Sequence, residues 1–195
     1  SIGYWGDHQI VYLLRLIEAS RAFCPGVLAK SLDRREFVFA DVPYRISGYA
    51  DLCRNPYDGV AFDTAADAVA RERTQKLGGD GKLLHQNGEL YRTTLAEKLL
   101  IPLLCKLSNL VPGGGVWMNT GRPEWNDANN ALAGNGLSVV TVCYLYRHLK
   151  ELMALFGESD LEEIKVSKEV AVWWQAVQAA LETYLAGDEL PVDQA

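Results

Sequence analysis

Apolar residues recur along this chain at helical spacing, in blocks separated by turn-rich stretches. Over residues 8–23, Ile10, Val11, Leu13, Leu14, Leu16 and Ile17 cover more than one face of a helix, so burial on two sides is expected. Cys24-Pro25-Gly26 then punctuates the chain. Phe37-Val38-Phe39 and residues 42–46 read as short extended segments. Residues 47–63 carry Gly48, Pro56, Asp58 and Gly59 and read as a loop-rich excursion. Thr64-Ala65-Ala66-Asp67 matches a capping box for an exposed helix through Leu77, ended by Gly78-Gly79-Asp80-Gly81.

Residues 89–110 predict a helix with Leu95, Leu99, Leu103, Leu107 and Leu110 on one stripe, kinked at Pro102. Pro112-Gly113-Gly114-Gly115 lacks the lysine of a phosphate loop and reads as a flexible hinge. Ser138 caps a predicted helix to Phe156, striped by Val142, Leu145, Tyr146, Leu149, Leu152, Met153 and Phe156. Ser167 caps another, with Val170, Trp173, Trp174, Val177, Leu181 and Tyr184 inside it and Gly187 as the stop. The expected fold class is mainly α, an antiparallel helical array with a small β and loop excursion.

Composition narrows the function classes. The chain has 195 residues, 49% hydrophobic and 23% charged, as core-forming globular sequences do. Its net charge is −6, and no basic stripe of the kind nucleic-acid binders carry is present. No apolar run reaches the length of a membrane span. Cys24, Cys53, Cys105 and Cys143 form no CxxC pair, which argues against a zinc site and points to a reducing, cytoplasmic compartment. Cys105 and Cys143 read as small buried hydrophobes. The chain opens at Ser1 and enters a chemistry-rich motif at once, so the remainder of a longer parent chain is expected around it.

That chemistry sits in two clusters. Gly121-Arg122-Pro123-Glu124-Trp125-Asn126-Asp127-Ala128-Asn129-Asn130 packs two carboxylates, an indole, a guanidinium and three amides into ten residues. A sugar meets all of them, with apolar C–H faces for the indole and hydroxyls for the polar groups. Glu124 and Asp127 are spaced so that one can be held protonated by burial or by its neighbour's charge, as protonation of a glycosidic oxygen requires. The plainer reading is a helix cap at Asp127 with Trp125 in a core. The second cluster, Trp5-Gly6-Asp7-His8-Gln9, has the same vocabulary and also precedes an apolar helix.

The first cluster resembles the Gly-Asp-Trp-Asn-Asp-Gly motif of the inverting glycoside phosphorylases, the family of cellobiose and chitobiose phosphorylases, whose catalytic domain is an (α/α)6 barrel. The resemblance implies Asp127 as general acid, Trp125 as a sugar contact and a supporting role for Asn126. Glu124 stands where that family has Asp, Ala128 where it has Gly, and Arg122-Pro123 where it has glycine-rich sequence. The match is therefore to a superfamily of hydrolases and phosphorylases. The second cluster is similar to an Asp-Asp-His-Leu-Trp-Leu segment upstream in those enzymes, in the same chain order. It implies a place near the substrate for Asp7 and His8, and Trp5 and Arg122 are further substrate-binding candidates by their own chemistry.

On this reading residues 1–195 are a fragment of one (α/α) barrel catalytic domain, with 24–90 inserted as a lid or subsite wall. The substrate is a disaccharide or oligosaccharide. No metal or other cofactor is called for, and inorganic phosphate is a co-substrate if the enzyme is a phosphorylase. The competing reading is a non-catalytic helical sugar-binding or structural domain. Arg45 reads as a surface strand residue, His85 as solvated, and His148 as either surface or packing. Trp173-Trp174 reads as core packing.

Overall fold

The computed structural model describes residues 7–119 and 134–187. Among them the protein is mainly helical, with short antiparallel strands between the helices. Helix α1 spans Asp7–Phe23. It buries Ile10, Leu14 and Ile17, whereas Tyr12, Leu16 and Phe23 are exposed. One broad face of the helix is thus covered, flanked by half-buried Val11 and Leu13, and Leu16 stays exposed, a correction to the expected two-sided burial.

Between α1 and the next long helix the chain builds ribbons. Strands β1 (Phe37–Val38) and β2 (Tyr44–Ile46) fall inside the expected extended region. Helix α2 (Tyr49–Arg54) and strand β3 (Val60–Phe62) follow, and β3 pairs antiparallel with β2. Helix α3 (Thr64–Leu77) is capped by Asp63 rather than Thr64. The Asp63 carboxylate accepts the Ala66 N–H at 2.9 Å and the Arg45 Nε–H at 2.9 Å, so the residue with two donors takes the cap.

Strands β4 (His85–Gln86) and β5 (Glu89–Leu90) form a hairpin over Asn87-Gly88, both with positive φ. That is the backbone a tight two-residue hairpin demands, and Asn-Gly supplies it. Strand β6 (Arg92–Thr93) then pairs with β1. These pairings take residues 89–93 out of the helix expected there. Helix α4 is Leu95–Leu107, started by the Thr94 hydroxyl, which accepts the Glu97 N–H. Pro102 lies inside it, and the helix continues past.

After α4 come β7 (Leu110–Val111), β8 (Gly115–Trp117) and β9 (Leu137–Ser138), a three-stranded antiparallel sheet in that order. The glycine stretch expected as a hinge is a tight turn instead. The Gly114 N–H donates to the Val111 carbonyl at 3.0 Å, with Pro112 and then Gly113 at φ 74° between them. Proline followed by a positive-φ glycine is the signature of a type II turn. Helix α5 spans Val139–Gly157 and α6 spans Lys168–Ala186, capped by Ser138 and Ser167 as expected, with left-handed Gly187 ending α6.

The core joins Ile10 and Ile17 of α1, Leu95, Leu99 and Leu103 of α4, and Leu145, Leu152 and Leu155 of α5. Tyr146 and Met153 point to solvent instead of joining the α5 stripe. Trp173 is half-buried and its indole N–H donates to the Ser108 hydroxyl at 2.7 Å, while Trp174 is 41% exposed. The tryptophan pair is therefore split between packing and surface, because adjacent helical positions point about 100° apart. Cys105 is half-buried, its thiol pushed up to about 11 by burial, whereas Cys143 is exposed and not the buried residue expected.

Side-chain partners fix the helix directions. Glu18 pairs with Arg147, and Arg21, further along α1, pairs with Glu151 of α5 and with Glu158 just past its end. Partner numbers rise together, so α1 and α5 are parallel. Glu97 at the start of α4 meets Ser167 at the start of α6, and Ser108 just past α4 meets Trp173 further along α6. Those two helices are also parallel. Helix α4 runs into β7 while α5 leaves from β9, and Val116 of β8 pairs with both Leu110 and Ser138. The end of α4 and the start of α5 thus lie together, and the two helices are antiparallel. The core helices α1, α4, α5 and α6 alternate in direction, two parallel pairs packed against each other.

Candidate functional site

The parallel register of α1 and α5 brings their first turns to one end of the array. Asp7 and His8 open α1 there, and Ser138 caps α5 there. The three-stranded sheet closes the same end, and β8 and β9 lead into and out of residues 120–133.

The two ends of that stretch are tied together. Met118 donates its N–H to the Gly136 carbonyl at 3.1 Å, and Gly134 donates to the Met118 carbonyl at 2.7 Å. The Trp117 indole N–H donates to the Gly134 carbonyl at 3.2 Å. On the entry side, Asn119 donates from Nδ2 to Oδ1 of Asn109 at 3.1 Å. Asn109 is itself fixed, since its Nδ2 donates to the Cys105 carbonyl at 2.9 Å and its own carbonyl accepts from the Trp117 N–H at 2.7 Å. Both arms of the stem are thus hydrogen-bonded to one another or to the end of α4.

The excursion after α1 braces this stem from outside. Tyr49 of α2 meets the Trp117 ring edge-on, with centroids 5.9 Å apart and planes at 71°. Such edge-to-face pairs add about 0.5–1.5 kcal/mol beyond burial. Pro56 lies so close to Gly134 that a Cβ there would fall 2.0 Å from the proline Cγ. Gly134 also has φ 71°, a conformation that glycine takes without strain. The Tyr49 hydroxyl bonds to Cys53, which pushes its acidity down, raising its pKa above the ordinary tyrosine value.

Of the residues singled out in the sequence, Arg122, Glu124, Trp125, Asn126 and Asp127 lie outside the described residues, as does Trp5. Asp7 and His8 are described as the first backbone positions of α1, while their side chains lie outside the description. Arg45 is exposed and bonded to Asp63, as a surface strand residue. His85 is half-buried rather than solvated, with Nδ1 2.8 Å from the Leu83 carbonyl. Trp117 and Asn109 at the stem were not singled out, and Pro56 was read only as part of a loop-rich excursion. Two signals pointed to a hairpin there: the Pro112-Gly113 pair and the apolar residues following it.

Among the described residues no group of three or more His, Cys, Asp or Glu side chains is placed to hold a metal ion. No described helix is long and apolar enough to cross a membrane. A scan of protein-family models and a search of curated proteins returned no match to the chain.

Proposed function

We propose that the protein is a carbohydrate-active enzyme that cleaves a glycosidic bond with inversion, with Asp127 as general acid. The observation that supports this reading is the common end of α1 and α5. It gives the Asp7-His8 cluster and the stem of the Glu124-Trp125-Asn126-Asp127 segment one face of the array, where a single sugar could reach both. Alternating helices in two parallel pairs also fit part of an (α/α)6 barrel. In such a barrel, helix starts of one ring share an end. Asp127 protonates the departing oxygen, Trp125 stacks on a sugar ring, and Arg122, Asn126, Asp7, His8 and Trp5 take hydroxyls. Glu124 orients the segment or binds a hydroxyl.

In a hydrolase a second carboxylate activates water, with the pair about 6.5–9.5 Å apart. In a phosphorylase, inorganic phosphate replaces both the base and the water. The test is to incubate the protein with disaccharides, with and without phosphate, and to identify the first-formed anomer by proton NMR. Inversion is expected. Dependence on phosphate would assign phosphorolysis, and independence hydrolysis. A retained anomer sinks the mechanism, and sugar binding without turnover favours a non-catalytic sugar-binding domain.

A further inference from the structure

His148 lies in the middle of α5, fully buried against the core, and neither ring nitrogen has a hydrogen-bond partner among the described residues. A buried polar group without a partner is uncommon in folded proteins and calls for an explanation. Its position is specific. Thr141, Leu145, His148, Leu152 and Leu155 make the buried stripe of α5. The ring faces α4 beside the backbone of Leu99, three residues before Pro102. Proline contributes no N–H to its helix, so this is the stretch of α4 with the weakest backbone ladder.

Among the described residues, the charges around His148 offer a proton no counter-ion. From α4, Glu97 is buried but is directed to the Ser167 N–H, and Lys106 is buried and carries the same sign as a protonated imidazole. From α1, Glu18 and Arg21 are engaged with Arg147, Glu151 and Glu158. Strand β8, packed on α5, carries no charged side chain. On α5 itself Arg147 and Glu151 are committed to those pairs with α1. Burial holds the His148 pKa below its ordinary value, and the Leu99 backbone opposes this more weakly.

We infer that His148 is an acid-sensitive latch between α4 and α5: neutral, it packs as a core residue, and protonated, it drives the two helices apart. Because α5 begins five residues after Gly134, separation also loosens the hydrogen-bonded pair of arms, residues 117–119 and 134–136, at its start. The inference does not depend on the proposed enzymatic activity.

The sign follows from linkage. Above the ordinary histidine value near 6.5 the folded and unfolded chains both hold the ring neutral, and stability is complete. Below it the unfolded chain takes up a proton that the folded chain refuses. The unfolding constant then rises up to about tenfold per pH unit from this group, until the folded ring titrates as well.

The test compares urea unfolding of the protein and its His148→Leu variant between pH 7.5 and 5 (about the span over which the ring titrates). The variant keeps the apolar packing and removes the titration. The parent is expected to lose stability on acidification more steeply than the variant, by up to about tenfold in the unfolding constant per pH unit. Parallel profiles would overturn the inference. Should the variant fail to fold, the ring proton signals of the parent decide by NMR. A His148 that titrates at or above the ordinary value overturns the latch, and one that titrates well below it supports the latch.

Discussion

Glu97 in the first turn of α4 accepts the backbone N–H of Ser167, the residue that caps α6. The Tyr91 hydroxyl reaches its other carboxylate oxygen at 3.5 Å, and the Thr94 hydroxyl bonds the Lys165 carbonyl at 3.3 Å. In an ordinary capping box, Thr94-x-x-Glu97 would return the glutamate to its own cap residue. Here it reaches across to the next parallel helix, so one buried carboxylate fixes two helix starts. Replacing Glu97 with Ala should cost about 1–3 kcal/mol by leaving the half-buried Ser167 N–H unsatisfied. Glu97→Gln keeps an acceptor and should cost less. Urea unfolding midpoints measure both, and equal losses would refute the role of the acceptor.

The parts legible in the sequence are those set by local rules. Ser138 and Ser167 cap the helices they were expected to cap, and Gly187 stops α6, because each acts within one turn of itself. The start of α3 was displaced by one residue, because Asp63 and Thr64 are both good caps and Arg45 on another strand favours the first. Asn87-Gly88 held a hairpin signal that the leucine stripe after it obscured. The bracing of Trp117 by Tyr49 depends on tertiary approach and leaves no periodic trace. His148 fits the apolar period of α5, yet whether a buried histidine has a partner depends on what α4 and α1 present to it. The expectation of an acid at Asp127 came from the motif resemblance, and Asp127 lies outside the described residues.

The stem is the least forgiving backbone in the fold. Gly134→Ala places a methyl against the Pro56 ring and forces an alanine to φ 71°. A loss of more than about 1 kcal/mol is expected, since left-handed backbone alone costs a non-glycine residue that much. Gly157→Ala is the contrast. It sits in the last turn of α5 with nothing within 4 Å of its added Cβ, so it should be neutral or stabilising by up to about 1 kcal/mol. Thermal denaturation of the two variants tests the pair, and the reverse order would rule out the packing of Pro56 on the stem.

The two faces of α1 should respond oppositely to truncation. Leu14 is completely buried in the core, so Leu14→Ala should cost about 2–5 kcal/mol. Leu16 is 67% exposed, so Leu16→Ala should change stability by less than about 0.5 kcal/mol. A large loss at Leu16 in this chain would mean that its face is covered in solution. Sedimentation of the same sample would then show whether a second copy covers it.

The assignment of the acid rests on kinetics. Asp127→Asn keeps the shape of the side chain and loses the transferable proton. Turnover of a disaccharide with a poor leaving group should fall by a factor on the order of 10²–10⁴ while binding is largely kept. Substrates with very good leaving groups need little protonation, so the variant should retain far more of its activity on them. Glu124→Gln should mainly weaken substrate binding, seen as a raised KM with kcat less affected. If Asp127→Asn is fully active on an ordinary disaccharide and Glu124→Gln is dead, the two carboxylates exchange roles. If both variants match the parent, the segment does no chemistry. The cluster of carboxylates, amides and indole would then be structural, and the non-catalytic reading would hold.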